Sequence, residues 1–377
     1  MKILFTISLF LTLLTINSYI YCSFQLSLFS TINKENKSKN LSISPLGIFH
    51  ILSLTSNGSF GNTQNEMLKT LEYPGIELLN EINYQIFTTL NKISTIKIAN
   101  AIMSKFSPLD SFKNVAKDNY NVEISPLKSL YQINQWCNRK TKGKIKKILD
   151  ILDDNIFMVL LNAIYFNDKW EHSFDKSSTS KKIFYSLGNK QTNVDIMSQT
   201  NDFGYYENSE IQAIELPYEH DSMSALIILP KTNVDINNFI EKLDENYIYK
   251  INNKFNLAKV KIELPKFKIN FQESLVKTLK EMGMNEAFTL KADFSGIRKQ
   301  NDLLIDDVIH KTYLSVDEKG TEAAAVTIVE FMAKSAGPMK LKYYEMNVNR
   351  PFLFIIKNHR LPKNNDIIFI SKIVELS

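Results

Sequence analysis

The segment 320–327 consists almost wholly of small residues, and it follows the strand-like run 312–316. Glycine tolerates backbone angles that strain other residues, so Gly320, after Lys319, predicts a flexible joint. With the period of two found in strands, one face carries only small side chains, those of Thr321, Ala323, Ala325 and Thr327. A large or charged side chain on that face would clash or be buried at high cost. The segment therefore predicts a strand that can enter an existing sheet.

Composition alone favours a helix for the same residues. Alanine is the strongest helix former, and Ala323, Ala324 and Ala325 stand together after Glu318 and Glu322. Taken by itself, the segment 318–327 therefore fits either a helix or a late-joining strand, and the rest of the chain has to decide between them.

Length and composition predict one large folded domain. The chain has 377 residues, of which 44% are hydrophobic, including 24 Phe and 16 Tyr, enough for a large core. We find no linker, repeat or low-complexity tract after the first residues. We therefore expect a single domain over residues 23–377.

The N-terminus has the pattern of a secretory signal peptide. Met1-Lys2 supplies a positive charge, and the apolar run 3–14 is too short for a comfortable membrane span. We predict a signal over residues 1–22, with cleavage near Cys22 or after Ser18, and hence a secreted, extracellular protein. The alternative is an uncleaved anchor.

Two further features bear on a secreted protein. Cys22 and Cys137 are the only cysteines, so disulfides do not hold the fold together, and Cys137 is expected to be a buried filler rather than a reactive thiol. The triplet for N-glycosylation occurs three times, at Asn36, Asn40 and Asn57. Of these, Asn36 is the preferred acceptor, because the other two flank apolar segments.

Six cations are concentrated within nine residues of this weakly basic chain, whose net charge is +5. They are Arg139, Lys140, Lys142, Lys144, Lys146 and Lys147. A polyanion such as a glycosaminoglycan could bind there. The alternative is a solvated helix end, whose dipole favours cations near its C-terminus.

Hydrophobic periodicity predicts mixed helices and long strands. Helical spacing appears over residues 43–54, 63–71, 131–141 and 272–281. Apolar or alternating runs predict strands over residues 156–166, 211–217, 224–230, 259–267, 352–357 and 367–374. Helices together with long antiparallel strands indicate an α+β protein.

Motifs of common enzymes are missing from the sequence. It contains five histidines but no Gly-x-Ser-x-Gly elbow, His-Glu-x-x-His pair or phosphate-binding glycine loop. We therefore expect a protein that is not an enzyme and that uses neither a cofactor nor a metal ion. We expect a monomer that binds neither nucleic acid nor a membrane.

Short motifs spread over the whole mature chain resemble those of the serpins, serine protease inhibitors whose reactive-centre loop inserts into a central sheet. They are Ser42-Ile43-Ser44-Pro45, Asn134-Gln135-Trp136 with Thr141-Lys142-Gly143-Lys144-Ile145, Asn162-Ala163-Ile164-Tyr165-Phe166, Glu215-Leu216-Pro217-Tyr218, Leu264-Pro265-Lys266-Phe267, Met282-Gly283-Met284, Asp293-Phe294-Ser295-Gly296-Ile297 and Asn349-Arg350-Pro351-Phe352. The resemblance implies helices around a large central antiparallel-rich sheet, two further sheets and an exposed reactive-centre loop. It also makes the segment 318–327 the hinge of that loop, and it implies that hinge and loop together span about residues 318–342.

The resemblance gives roles to four further residues. Ser44, Asn162 and His310 match the shutter, a hydrogen-bonded cluster beneath the place where the central sheet parts. Trp170 matches the tryptophan at the top of the sheet, the breach, where insertion begins. One departure is Gly47, which stands where many members have a second serine.

The resemblance also places the bond that a protease attacks. That bond lies at a nearly fixed distance past the hinge, and the sixteenth residue after Glu318 is Lys334, followed by Ser335. A lysine before the scissile bond suits a trypsin-like protease with an acidic pocket. The stretch from Ser335 to Pro351 is longer than usual, so Met332 and Lys340 remain alternative sites.

The implied function is inhibition by suicide reaction, in which a trypsin-like serine protease is trapped as a covalent acyl-enzyme when the loop inserts. Two alternatives stay open: a non-inhibitory serpin that binds or carries another molecule, and an inhibitor of a cysteine protease. The small hinge face favours inhibition, because bulky residues there would block insertion.

Overall fold

The computed structural model describes residues 24–93, 95–220, 222–321 and 341–377. Nine α-helices lie within them: α1 Phe24–Glu35, α2 Pro45–Ser56, α3 Gly61–Leu71, α4 Ile76–Leu90, α5 Asp110–Val115, α6 Leu130–Lys140, α7 Ile236–Glu241, α8 Glu245–Lys254 and α9 Val276–Glu281. A π-helical turn, Ala116–Tyr120, continues α5.

Sixteen strands accompany these helices in the described part of the chain. They are β1 Leu41–Ile43, β2 Ile96–Ser104, β3 Glu123–Pro126, β4 Met158–Phe166, β5 Asp168–Lys169, β6 Ser180–Tyr185, β7 Gln191–Glu207, β8 Ile211–Pro217, β9 Met223–Pro230, β10 Asn256–Pro265, β11 Phe267–Ser274, β12 Asp307–Asp317, β13 Gly320–Thr321, β14 Tyr343–Asn347, β15 Phe352–Asn358 and β16 Ile367–Ile373. Mixed helices and large sheets confirm the α+β class.

Local chemistry explains where the helices nearest the central sheet begin. Ser44 caps α2, because its side chain accepts a hydrogen bond from the backbone N–H of Gly47, and Pro45 occupies the first turn. Ser129 caps α6 in the same way through the N–H of Gln132. The predicted helices at 43–54, 63–71 and 131–141 are confirmed to within about two residues, the usual uncertainty of helix ends.

Two predictions of secondary structure need correction, and one strand of the first half was missed. The strand predicted over 259–267 is two strands, β10 and β11, which meet at Lys266. The helix predicted over 272–281 begins only at Val276, because β11 pairs with β12 as far as Ser274. The strand β2 in the first half of the chain was not predicted.

A seven-stranded mixed sheet carries the features that matter for function, and we call it the central sheet. Its order is β3-β2-β4-β12-β13-β5, with β11 also paired to β12. The strands β4 and β12 run parallel and pair directly, whereas the short strand β13 lies between β12 and β5.

The other nine strands form one hydrogen-bonded network rather than the two further sheets that the resemblance implies. The reason is the length of β7, which spans 17 residues. Successive parts of this strand pair with β6, β10 and β8, so the strands on both sides are joined through it.

The central sheet is buried on both faces. One face packs on the main core, and α6 covers the other through Ile133, Trp136 and Cys137. Side chains alternate between the two faces along each strand. Within the described residues, no helix combines the length and apolar character that crossing a membrane requires.

Candidate functional site

The slot that an inserting strand would occupy is closed in this structure. The strands β4 and β12 pair in parallel from Val159 opposite Asp307 to Tyr165 opposite Tyr313. A new strand between them would have to break every one of these pairings and replace them with its own hydrogen bonds. The structure therefore shows a sheet that is shut along the length of β4.

The start of the hinge already forms part of the central sheet, at the end where β12 finishes. Gly320 and Thr321 form β13, which pairs with Val316 and Asp317 on one side and with Asp168 and Lys169 on the other. Thr321 is fully buried. These two residues therefore adopt the strand predicted for them, and the strand direction leads from β12 back along the slot.

Gly320 is required for both conformation and space. Its φ angle is +153°, and a Cβ atom there would lie 2.2 Å from the carbonyl oxygen of Asp168. Any other residue would be strained and would push the hinge away from β5. The predicted joint at Gly320 is thus a point of close backbone contact.

Two stacked aromatic rings hold the hinge at the top of the sheet. The rings of Trp170 and Tyr218 are 4.5 Å apart and nearly parallel. The indole N–H of Trp170 donates to the backbone oxygen of Asp317 at 3.0 Å, and the hydroxyl of Tyr218 lies 2.6 Å from that of Thr321. The structure therefore places Trp170 at the point where the hinge enters the sheet.

A buried carboxylate fixes the turn between β12 and β13. Glu318 accepts hydrogen bonds from Nζ of Lys266 at 3.0 Å and from Oγ1 of Thr179 at 2.9 Å. Burial opposes ionisation of Glu318, but these donors hold its pKa below the usual value. Glu318 is therefore an anchored, ionised residue rather than part of a loose loop.

The predicted shutter residues form a row across the central sheet. Asn100 lies directly opposite Asn162, and Asn162 directly opposite His310. All three are buried, on the face that meets α2. Nδ1 of His310 lies 2.6 Å from Oδ1 of Asn162, and the backbone N–H of Ser44 donates to Nε2 of His310 at 3.1 Å. The structure thus brings Ser44, Asn162 and His310 together.

These contacts hold His310 neutral. Burial lowers the pKa of His310 from 6.5 to about 3. Since Nε2 accepts a hydrogen bond from Ser44, a second proton there would face the N–H donor directly. His310 is therefore a neutral bridge that joins β12 to both β4 and the start of α2.

A second buried group of hydroxyls lies beside this row. Oγ1 of Thr312 donates to the backbone oxygen of Ser42 at 2.8 Å, and Oγ of Ser371 donates to Oγ of Ser42 at 2.8 Å. The first bond ties β12 to β1, and the second ties β1 to β16. If β12 moves away from β4, it therefore disturbs the contact of His310 with Asn162 and also the contact of Thr312 with Ser42.

The position of Asn162 explains why residue 47 is a glycine rather than a serine. A Cβ atom on Gly47 would lie 2.4 Å from Nδ2 of Asn162. The amide group of Asn162 therefore fills the space next to Gly47 and completes the cluster without a serine there.

We expect Gly47→Ser to lower the free energy of unfolding by about 1–3 kcal/mol, the usual effect of forcing extra atoms into a packed core. Urea unfolding monitored by fluorescence measures the change. Gly75→Ser is the control, because the nearest atom to a Cβ there is 3.4 Å away. Equal stability of both variants would show that Asn162 does not fill this space.

Most of the predicted hinge and the predicted bond lie outside the described residues. This applies to Glu322, Ala323, Ala324, Ala325 and Thr327, to Lys334 and Ser335, and to the alternative sites Met332 and Lys340. The signal peptide predicted for residues 1–22 lies outside them as well. These remain predictions from the sequence.

The six predicted cations are all exposed around the C-terminal end of α6. Lys140 pairs with Glu123 at 2.9 Å, Lys147 pairs with Asp150, and Nζ of Lys144 lies 6.0 Å from the ring centre of Tyr313. Arg139, Lys142 and Lys146 make no ion pair with a described carboxylate. The surface is thus accessible, and only part of its charge is neutralised by neighbours.

The three glycosylation triplets differ in accessibility. Asn36 is buried and its Nδ2 donates to the backbone oxygen of Ile32. Asn40 and Asn57 are both partly buried, and Nδ2 of Asn57 donates to the backbone oxygen of Ser53 and to Oδ1 of Asn80. Nδ2 of Asn40 also donates, to the backbone oxygen of Glu375, so all three amides are hydrogen-bonded in the fold, and glycosylation at Asn36 stays a prediction from the sequence.

Cys137 is buried against the central sheet, as predicted. Burial raises the pKa of the Cys137 thiol to about 12, so it is not a nucleophile at neutral pH. Among residues 24–93, 95–220, 222–321 and 341–377, no group of acidic, histidine or cysteine side chains could hold a metal ion.

Sequence reasoning missed several partners of the hinge and shutter. Tyr218 and Lys266 both stand in quoted motifs, but no pattern indicated that they meet Thr321 and Glu318. Asn100 gave only the signal of a polar residue in an apolar strand. Such contacts depend on strand register, which a single sequence does not reveal.

Comparison with known proteins agrees with this geometry. Residues 20–376 match the family described as Serpin (serine protease inhibitor). Intracellular coagulation inhibitor 2 of Tachypleus tridentatus is 31% identical over 360 residues, which cover 90% of this chain and 87% of that protein.

Solved structures show the same similarity. A thermophilic serpin, tengpin, in the native state has a TM-score of 0.83 and 31% identity, and the match covers 94% of this chain and 92% of that one. Thyroxine-binding globulin in complex with thyroxine has a TM-score of 0.84 and 26% identity, with 94% and 98% covered.

Proposed function

The chain belongs to the serpin family, and we propose that it is a secreted inhibitor of trypsin-like serine proteases that traps its target as a covalent complex. We further propose that it acts as a monomer and has no catalytic activity of its own. The signal-like N-terminus supports secretion, and the hinge supports the mechanism.

The single observation that carries this proposal is the hinge at the top of a closed sheet. Thr321 is buried between β12 and β5, and the slot below it is shut by direct pairing of β4 with β12. If the strand period of two continued past Thr321, Ala323 and Ala325 would follow on the same face. A loop that begins in the slot and continues with small side chains can extend downward without a steric barrier.

The proposed reaction starts when the protease serine attacks the carbonyl carbon of Lys334. The peptide bond to Ser335 breaks, Ser335 leaves with a new amino group, and Lys334 remains bound to the protease as an ester. The freed segment then inserts between β4 and β12. The protease is carried along the sheet and its catalytic geometry is distorted, so hydrolysis of the ester stalls.

We expect incubation with trypsin to give a complex that survives SDS, with cleavage after Lys334 found by mass spectrometry. Lys334→Ala should prevent both, because a trypsin-like pocket requires a basic residue before the bond. Lys340→Ala is the matched control and should leave the complex intact. Efficient cleavage after Lys334 without a complex would sink the inhibitory proposal, and cleavage elsewhere would move the site.

The binder or carrier alternative has one observation in its favour, the similarity to thyroxine-binding globulin. The hinge distinguishes the two functions, since a carrier does not need a loop that inserts. The trypsin experiment therefore separates them, and the same experiment with papain tests the third reading, inhibition of a cysteine protease.

We also propose that a polyanion such as a glycosaminoglycan binds the exposed cations around the end of α6. Lys142→Glu with Lys146→Glu should lower the salt concentration that elutes the protein from heparin, because each lost contact with a sulfate or carboxylate group reduces the salt-dependent affinity. Lys242→Glu with Lys250→Glu is the control, since it makes the same charge change at exposed positions of another surface. Equal elution of both variants would contradict a specific site.

A further inference from the structure

The strand that receives the hinge, β5, has only two residues. It pairs with β13 on one side, where Asp168 lies directly opposite Thr321. On its other side it meets the connection between β8 and β9, where the N–H of Glu219 donates to the backbone oxygen of Lys169 at 2.8 Å. With so few backbone bonds, the position of β5, and with it the docking of the hinge, depends on side-chain contacts.

Asp168 places a buried carboxylate next to the docked hinge. Its side chain is 2% exposed. Residues directly opposite each other on antiparallel strands have Cβ atoms about 5 Å apart on one face of the sheet, so the carboxylate is a neighbour of the Thr321 side chain. Burial raises the pKa of Asp168, because its ionised form loses water. An uncompensated charge here would oppose docking of the hinge.

His220, on the connection between β8 and β9, lies against both oxygens of this carboxylate. Its Nδ1 atom is 2.9 Å from Oδ1 and 3.0 Å from Oδ2 of Asp168. The carboxylate also accepts the backbone N–H of Lys169 at 2.9 Å. The imidazole is 45% exposed, so it can exchange a proton with solvent while its partner stays buried. Asp168 therefore has a neighbour whose charge depends on pH.

The other ionisable groups on the surrounding elements are of different types. They are Lys169 on β5, Tyr218 and Glu219 on the connection, and Asp317, Glu318 and Lys319 beside β13. Lys169 and Glu219 pair with each other at 3.7 Å. His359, which comes near the same connection, contacts Glu215 instead. Since histidine is the side chain that ordinarily changes charge between about pH 5 and 8, the proton balance beside the hinge rests on His220.

The pair of Asp168 and His220 has one net negative charge at high pH and none after it takes up a proton. Coupled groups titrate as a unit, and the charge is cancelled whichever of the two holds the proton. Docking of the hinge removes water from the pair, so docking costs more while the pair is negative. Proton uptake and docking therefore favour each other, and docking is strengthened as the pH falls.

We propose that Asp168 and His220 are positioning residues that hold β5 against the hinge and make loop insertion more efficient in mildly acidic solution. This regulation rests on the proposed function. The neutral pair keeps Gly320 and Thr321 docked, so insertion starts from pairings that already exist. When the pair is negative, the hinge leaves β5 more often, insertion is delayed, and more of the acyl-enzyme is hydrolysed.

The test measures the ratio of SDS-stable complex to cleaved protein after reaction with trypsin at pH 6 and pH 8. Dividing each variant by the wild type at the same pH cancels the pH dependence of trypsin itself. His220→Asn keeps an N–H donor but takes up no proton. Its ratio should be about fivefold below wild type at pH 6, the lower range of coupling between two sites, and equal at pH 8.

Asp168→Asn should have the opposite effect, because it removes the buried charge. Its ratio should exceed wild type by about fivefold at pH 8 and match it at pH 6. A merely structural role would lower the ratio in both variants at both pH values, and that result would overturn the proposal.

Two controls change other groups near this connection. They are His172→Gln, at an exposed position, and Asp221→Asn, which follows His220 and lies outside the described residues. Both should follow the wild type at pH 6 and pH 8. Loss of the pH dependence in either would assign it to another residue and contradict the proposal.

Hydrogen exchange of the amides of residues 320 and 321 gives a second measurement that needs no protease. At pH 6 these amides should be protected about fivefold more in the wild type than in His220→Asn, and at pH 8 equally. Equal protection at both pH values would overturn the role of the pair even if the trypsin complex forms. The expected protection without a trypsin complex would contradict the proposed function instead.

Discussion

Thr321→Arg is expected to convert the protein from an inhibitor into a substrate of trypsin. Thr321 is fully buried between β12 and β5, and its hydroxyl lies 2.6 Å from that of Tyr218. An arginine there would either bury an unpaired charge, which costs about 3–5 kcal/mol, or keep the hinge out of the sheet. Since each 1.4 kcal/mol is a tenfold change, the yield of the complex should fall at least about 100-fold.

The attacked bond is distant from Thr321, so cleavage after Lys334 should continue at nearly the normal rate. The measurement is the ratio of SDS-stable complex to cleaved, free protein after reaction with trypsin. Thr321→Val is the matched control, because it keeps the small size and loses only the hydroxyl, and it should retain most of the complex. An unchanged complex in Thr321→Arg would exclude insertion of this segment.

The position of each strand that forms the slot could be predicted in outline from the sequence. The continuous apolar run in β4 indicates burial on both faces, and the small residues after Gly320 indicate a strand that enters late. The resemblance then assigned Ser44, Asn162 and His310 to one cluster. Periodicity alone could not do this, because the three residues come from separate parts of the chain.

The remaining features depend on register and close packing. Asn100, Asn162 and His310 form one row only because β2, β4 and β12 pair with those residues opposite each other. A shift of one residue in any strand would turn the side chain to the other face. The burial of Asn36, the preferred glycan acceptor, also could not be read from the sequence, because it depends on how α1 packs in the fold.

His310→Gln is the second change for which we expect a large effect. His310 provides a donor to Asn162 and an acceptor for Ser44 in a fixed geometry. Glutamine cannot meet both partners from the same place, and an unpaired buried donor or acceptor costs about 1–3 kcal/mol. The variant should therefore lose about that much stability at pH 7.5, and its sheet should open more readily. Spontaneous polymerisation on mild heating should be faster.

The same variant isolates the contribution of His310 to the loss of stability in acid. The pKa of His310 is about 3 in the folded protein and 6.5 when unperturbed. Between about pH 3 and pH 6.5, His310 therefore binds a proton in the unfolded chain but not in the folded protein. The stability that neutral His310 contributes is complete above about pH 6.5 and is lost as the pH falls toward 3. At most, one such group changes the free energy of unfolding by about 1.4 kcal/mol per pH unit.

Urea unfolding between pH 7.5 and 5 should therefore show a steeper loss of stability in the wild-type protein than in His310→Gln, and the two curves should converge as the pH falls. His50, which is also buried with a lowered pKa, contributes equally to both proteins and cancels in the comparison. His172→Gln, at an exposed position, is the control and should follow the wild type. Parallel curves for wild type and His310→Gln would mean that His310 does not stay neutral in the folded sheet. Convergence would show that the bridge which keeps the slot closed depends on that neutrality.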